Sequence, residues 1–173
     1  MVEQIDEVTI RQATPDDAAA IAEVHVRSWQ EAYAGIVPDA HLGSLDPARY
    51  AERWREMLAA GPADHVVTHV ALADGRVVGF VSYGPSRDED HRRGEREIYS
   101  IYLDPGTWGR GVARDLLRTV LSEVGDRTPM SLWVLADNER ARHFYRRHGF
   151  TADIERTEPV GGADLLEVRY RRG

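Results

Sequence analysis

Apolar positions recur along this chain with two different periods, and the places where one period replaces the other predict its elements. A strand-like run at residues 8–13 is followed by Thr14-Pro15-Asp16-Asp17, a helix start. Threonine serves there as N-cap, proline fits the first helical position, and the acids favour the first turn. Ala18, Ile21, Ala22, His25 and Trp29 then recur at helical spacing. Residues 29–38, WQEAYAGIVP, carry Gly35 and Pro38 and read as a break. Asp46-Pro47 opens a second helix through Tyr50, Trp54, Met57 and Leu58, ending near Gly61-Pro62. Strand-like runs at 65–73 and 76–83 flank Asp74-Gly75, a two-residue hairpin signal. Residues 84–96, GPSRDEDHRRGER, have no period and mixed charge, and read as a solvated loop.

The stretch 97–123, EIYSIYLDPGTWGRGVARDLLRTVLSE, organises the rest of the chain. Its first seven residues mix β-branched and aromatic side chains and predict a strand, which Asp104-Pro105-Gly106 ends. Gly109, Gly111 and Ala113 then lead into Val112, Leu116, Leu117, Val120, Leu121 and Val124 at helical spacing. A strand, a turn and a glycine-bearing helix start form an anion site, because the first amides of a helix lack partners and carry partial positive charge. The turn is not a nucleotide P-loop, since no Gly-Lys-Ser/Thr follows, nor a dinucleotide fingerprint, since the third glycine is missing. Residues 129–136 predict an apolar strand, and Asn138 caps a helix whose stripe of Ala141, Phe144, Tyr145 and His148 is closed by Gly149. Runs at 150–155 and 164–170 around Gly161-Gly162 make a last strand pair. The order is strand, two helices, three strands, helix, strand, helix and two strands: an α/β protein whose single mixed sheet is flanked by helices.

Composition narrows the chemistry. At 173 residues the chain has room for one well-buried domain, 1–173. It has no cysteine, which excludes a disulfide framework, a thiolate nucleophile and cysteine-ligated zinc. The formal net charge of −7 argues against non-specific binding to nucleic acid. No apolar run reaches membrane-spanning length and the acidic start MVEQIDEV does not resemble a signal peptide, so a cytoplasmic location is expected. The seven histidines form no ligand motif; His65 and His69 would share a strand face, which is a poor metal site, and no metal is expected.

With these residues in view, the stretch 99–121 with TWGRGVARDLL resembles the acetyl-CoA-binding motif of the GNAT-type N-acetyltransferase superfamily. Residues 132–150, LWVLADNERARHFYRRHGF, resemble that family's next strand and helix, and IRQATPDDAAAIAEVHVRSW resembles its opening. The resemblance implies a GNAT-like fold, with a mostly antiparallel, splayed sheet, and acetyl-CoA as acyl donor. It implies that the amides of Gly109, Arg110, Gly111, Val112, Ala113 and Arg114 cradle the pyrophosphate of coenzyme A. Ile101, Tyr102 and Leu103 would line the pantetheine, with main-chain groups of Ile101 and Leu103 meeting it. Asn138 would reach the pantetheine or acyl region, and Tyr145 would protonate the leaving thiolate. One position departs from the pattern: Trp108 stands where the family has Gln or Arg.

Acyl transfer from a thioester to an amine needs a neutral amine, donors for the carbonyl oxygen and a proton for the thiolate. Glu97, at the head of the central strand, is the candidate base, directly or through water. A solvated carboxylate at a strand end is the alternative. Tyr145 reads equally as a core aromatic. Arg142 and Arg146, one turn apart, are candidates for the cofactor phosphates or a solvated face. Trp29 and Tyr33, beside the break after the first helix, are candidates for an acceptor pocket or equally for core packing, and Trp54 reads mostly as core. The expected acceptor is a small-molecule amine or a peptide N-terminus, and a homodimer is compatible with the resemblance. The competing function is a catalytically silent acyl-CoA-binding module on the same fold.

Overall fold

The computed structural model describes residues 7–61 and 65–173. Pro62, the expected end of the second helix, and the first six residues of the acidic start lie outside the described residues. The strands are β1 (Val8–Gln12), β2 (Val67–Ala73), β3 (Arg76–Pro85), β4 (Arg96–Leu103), β5 (Met130–Leu135), β6 (Thr151–Val160) and β7 (Ala163–Arg172). The helices are α1 (Ala18–Ala32), α2 (Asp39–Ser44), α3 (Pro47–Ala59), α4 (Val112–Val124) and α5 (Glu139–Arg147). The strands form one seven-stranded sheet in the order β1-β2-β3-β4-β5-β7-β6. Every neighbouring pair is antiparallel except β4–β5. The fold is thus the expected mixed, mostly antiparallel sheet flanked by helices.

Local chemistry sets the turns. Asp74 and Gly75 both have positive φ, which gives the β2–β3 connection the twist that a two-residue hairpin requires. Gly161 and Gly162 do the same between β6 and β7. Before α1, a 3₁₀ turn at Pro15–Asp17 starts the helix, and the Asp17 carboxylate accepts from the Thr14 amide at 2.8 Å. The Arg11 guanidinium beside that carboxylate holds it below the usual carboxylate range.

The two sheet faces bury different cores. On one, α4 and α5 bring Leu116, Leu117, Val120 and Tyr145 against Val81, Ile98, Met130, Leu132 and Tyr170. On the other, Ile21, Ala22, Val24 and Trp54 of α1 and α3 cover Val70 and Phe80. A smaller third cluster joins Tyr33, Val37, Leu42 and Leu135. The break after α1 is shorter than expected, because Trp29 still belongs to that helix. The following segment contains α2, a short helix with only Leu42 buried, which the periodicity does not reveal.

Residues 86–95 also differ from the solvated loop expected. Asp88 and Asp90 ion-pair with Arg169, Glu95 pairs with Arg92 and Arg171, and the Trp133 indole donates to Asp88 at 2.9 Å. Trp133, Arg169 and Arg171 lie on β5 and β7, too distant in sequence for a local pattern to show them.

Candidate active site

The site starts from a break in pairing at the middle of the sheet. β4 and β5 pair only through Arg96–Met130, Glu97–Ser131 and Ile98–Leu132. Beyond that point the two parallel strands part and leave a gap open to an extended ligand. A bulge sits at the same place: Ser82 pairs with Ser100 and Tyr83 with Ile98, which leaves Tyr99 as the extra residue. The Asp104 amide donates to Val78 on β3, so strand alternation turns Tyr102 toward β3 and Ile101 and Leu103 toward the gap. That corrects the expectation for Tyr102, whose main chain belongs to the β3 ladder. Its ring instead crosses to the α1 side and stacks on His25 with centroids 5.2 Å apart. The Leu103 carbonyl accepts from the Trp108 indole at 3.3 Å, so its amide is the group left facing the gap.

At the end of β4 the chain makes a 3₁₀ turn and enters α4 through Gly109 and Gly111, both at positive φ. A side chain at Gly111 would be strained there, and its Cβ would stand 2.8 Å from Arg114 Nη2. Arg114 therefore folds over the helix start, and the amides of Val112, Ala113 and Arg114 remain at the positive end of the dipole. Arg110 lies exposed in the same turn.

Three tyrosines and an asparagine, from the end of α1, from β4 and from α5 with its cap, lie near one another. Tyr145 of α5 is 6% exposed and packs on Phe144, Phe150 and Tyr170. Burial, and then Tyr102 nearby, push its hydroxyl well above the ordinary tyrosine value, so it stays protonated. Tyr33, at the end of α1, is likewise held neutral, first by burial, with Tyr102 and Asn138 near its hydroxyl. The Asn138 side-chain oxygen caps α5 by accepting from the Ala141 amide at 3.2 Å. Trp29 stands edge-on to Tyr33, with centroids 4.8 Å apart, and near His41 of α2. On the far side of this pocket the β6–β7 turn rests on α2, where a Cβ at Gly161 would come 2.5 Å from His41.

Two expected residues are placed differently. Glu97 is 2% exposed on the α1 face, and its oxygens accept from the Arg87 amide at 3.0 Å and the Arg87 guanidinium at 2.6 Å. The solvated strand-end alternative is thereby excluded. The same guanidinium stacks over Tyr99, 4.1 Å from its centroid. Beside Glu97, the Ser131 hydroxyl is buried and without a hydrogen-bond partner among the described residues. Arg142 does not turn toward a phosphate: it donates to the Tyr170 hydroxyl at 3.0 Å and the Ala136 carbonyl at 2.9 Å. Arg146 reaches the same hydroxyl at 3.4 Å. The arginine of α5 that does reach the turn before α4 is Arg140, whose guanidinium lies 4.4 Å from the centroid of Trp108. Nothing in the periodicity marks it, because it is an exposed residue in a polar first turn.

This geometry finds its counterpart among known proteins. Residues 21–150 match the family described as Acetyltransferase (GNAT) family. The chain belongs to that family. The uncharacterised N-acetyltransferase YuaI of Bacillus subtilis (strain 168) is 32% identical over 165 residues, covering 93% of this chain and 90% of YuaI. The spermine/spermidine N(1)-acetyltransferase of the same strain is 26% identical over 149 residues, covering 83% and 87%. The crystal structure of PaiA N-acetyltransferase from Thermoplasma acidophilum in complex with coenzyme A superposes with a TM-score of 0.74. It covers 96% of this chain and 98% of that one at 20% identity, a likeness of fold. As a GNAT acetyltransferase the chain is an acetyl-CoA-dependent enzyme, and its own features fit that molecule: a strand-shaped gap ending at amides held clear by two glycines. Among the described residues, no group of three or more acidic or histidine side chains is placed to hold a metal. No helix among them is long and apolar enough to cross a membrane.

In this GNAT chain His25 lies beneath Trp29 and Tyr102, enclosed by aromatic rings. Rings of Tyr50, Trp54, Phe80 and Tyr102 surround it, and burial lowers its pKa from 6.5 to about 4. The Trp54 indole points at Nδ1 from 3.4 Å, a contact that suits only a neutral ring. On acidification the unfolded chain takes up this proton near pH 6.5, but the folded chain only near pH 4. Stability is therefore unaffected above that window and falls through it, by at most about 1.4 kcal/mol per pH unit from this group. Denaturant titrations at pH 7 and pH 4.5 are expected to show the loss, and His25→Phe is expected to reduce the difference. An unchanged difference in the variant would assign the acid sensitivity elsewhere.

Proposed function

We propose that this enzyme transfers the acetyl group of acetyl-CoA to a primary amine by direct attack within a ternary complex. The observation that carries the reading is the end of β4–β5 pairing at Ile98–Leu132, beside the Tyr99 bulge, in a β4 that leads through a two-glycine turn into α4. Acetyl-CoA bound there supplies the acetyl group as a thioester. The amides from Gly109 to Arg114 hold its pyrophosphate, and main-chain groups of Ile101 and Leu103 align its pantetheine as an added strand edge. Asn138, whose oxygen caps α5, directs its amide N–H groups toward Tyr33 and the same gap. Amides next to the Tyr99 bulge donate to the carbonyl oxygen as it gains charge. The Tyr145 hydroxyl, kept protonated by burial, gives its proton to the leaving sulfur. With no cysteine in the chain, no thiolate is present to carry the acetyl group in a two-step exchange.

The acceptor amine enters from the α1 face, between Trp29, Tyr33 and the β6–β7 hairpin. Glu97 takes its proton, directly or through a water beside Ser131, once Arg87 swings off the carboxylate. Arg87 is suited to move, because its side chain is 65% exposed while that of Glu97 is 3% exposed. Glu97→Gln is expected to lower kcat about tenfold at neutral pH, with coenzyme A affinity unchanged. That is less than a directly acting base contributes, because water remains a competing route. Wild-type turnover in this variant would place the base elsewhere.

The reading is tested by offering acetyl-CoA with a panel of primary amines, spermidine and a short peptide included, and following free thiol. Intersecting lines in double-reciprocal plots are expected, and parallel lines would rule out direct attack. A second reading, a silent acyl-CoA-binding module, draws on Arg87 holding both oxygens of Glu97. It requires tight coenzyme A binding with no thiol release from any amine.

A further inference from the structure

The cleft is crossed at its phosphate end by one contact that the family pattern does not require, and its role rests on the coenzyme A reading of the site. Trp108 is fixed on two sides: its indole N–H donates to the Leu103 carbonyl at 3.3 Å and its amide to the Pro105 carbonyl at 3.3 Å. The ring is partly buried against the α4–α5 core, immediately before Gly109 and Gly111. Over it lies the Arg140 guanidinium, 4.4 Å from the ring centroid.

Arg140 is poorly placed for stabilising its own helix. It sits in the first turn of α5, after the Asn138 cap, where the dipole disfavours a cation. It makes no salt bridge with any acid among the described residues, in a chain of net charge −7. A guanidinium packed on an aromatic ring keeps its N–H edge available, and that edge matches two oxygens of a phosphate. The neighbouring turn supplies helix-start amides and Arg114 folded over Gly111, and Arg140 is held over the ring that immediately precedes that turn.

We propose that Trp108 is a platform that holds Arg140 against the pyrophosphate of bound coenzyme A. The side-chain contact to that anion then comes from α5, across the cleft, rather than from the turn itself. Trp108 is a positioning residue and Arg140 is the contact. The departure at the head of the motif is thereby compensated by a residue that the motif does not contain.

Calorimetric titration with coenzyme A and with dephospho-coenzyme A tests this, since the second keeps the pyrophosphate and lacks the 3′-phosphate. Arg140→Gln is expected to weaken both by about tenfold, the scale of one charge-assisted hydrogen bond. Trp108→Leu is expected to weaken both to a similar degree, and Trp108→Phe, which keeps a ring, to stay within about twofold. The Trp108→Leu/Arg140→Gln pair is expected to bind no more weakly than either single change, because both remove one contact. Unchanged affinity in Arg140→Gln, or additive losses in the pair, would overturn the proposal. So would a loss confined to coenzyme A, which would assign Arg140 to the 3′-phosphate. A wild-type chain that binds neither probe would instead overturn the cofactor reading itself.

Discussion

Tyr145→Phe is expected to lower kcat about a hundredfold while leaving coenzyme A affinity and thermal stability near wild type. The change removes one oxygen and keeps the ring, whose contacts with Phe144, Phe150 and Tyr170 lie at centroid distances of 5.3, 5.9 and 6.4 Å. What is lost is a proton donor. Burial, aided by Tyr102, keeps that proton on the hydroxyl far above neutral pH, so the group arrives at the reaction as an acid. A departing thiolate is a weaker base than an alkoxide, and water can protonate it, which sets the loss at the low end for proton-transfer catalysis. Steady-state kinetics beside calorimetry separates the two effects. A kcat within twofold of wild type would remove Tyr145 from its role and leave it a core aromatic. No alkaline limb from this hydroxyl is expected below pH 10, because its ionisation is displaced upward.

The elements that frame the cleft were legible because their signals are local. β-Branched and aromatic content marks β4, helical spacing marks α4, and Asn138 with Gly149 brackets α5 closely. Asn138 and Tyr145 were nameable from motif position and Tyr33 from its place beside the break after α1, although only the fold brings them near one another. What could not be read depends on direction or distance. The Tyr99 bulge shifts strand alternation by one residue, and that shift puts the Tyr102 main chain on the β3 ladder, away from the gap. Arg140 and Arg142 differ by two positions, about 200° around a helix, so one reaches Trp108 while the other turns to Tyr170. The α2 helix buries too little of its surface to leave a periodic trace. Arg87 finds Glu97, and Arg169 finds Asp90, through contacts that no short window of sequence contains.

Arg169→Met is expected to be the most destabilising single change among those considered, by about 3 kcal/mol. The Arg169 side chain is 2% exposed and ion-paired to Asp88, Asp90 and Asp153, at 3.3, 2.5 and 2.8 Å. Methionine fills much of the space but leaves three carboxylates around an apolar side chain, with Arg171 still near Asp90 and Asp153 at 3.6 and 3.3 Å but Asp88 without its arginine. Breaking a buried pair costs more than the pair contributes, because the remaining charges lose their partner in a poorly hydrated place. Asp90 and Asp153 retain some access to water, which keeps the expected loss at the lower end of the usual range. For a chain of this length such a loss lowers Tm by roughly 6–12 °C. Arg156→Ala supplies the contrast: its side chain is far more accessible than that of Arg169, and its removal from Glu158 and Glu167 is expected to cost less than about 1 kcal/mol. Adding Asp153→Asn to Arg169→Met is expected to recover part of the loss, since it removes one of the stranded charges. If the double variant were less stable than the single one, charge would not be the cause. Acid offers an independent check, because Arg169 holds Asp90 down to about 2. The stabilisation from that pair is present above pH 3.8 and is lost as pH falls through about 2, and this part of the acid limb is expected to vanish in Arg169→Met. The same network anchors residues 86–95, and with them Arg87 beside Glu97, so the variant is also expected to raise KM for the acceptor amine while coenzyme A affinity holds.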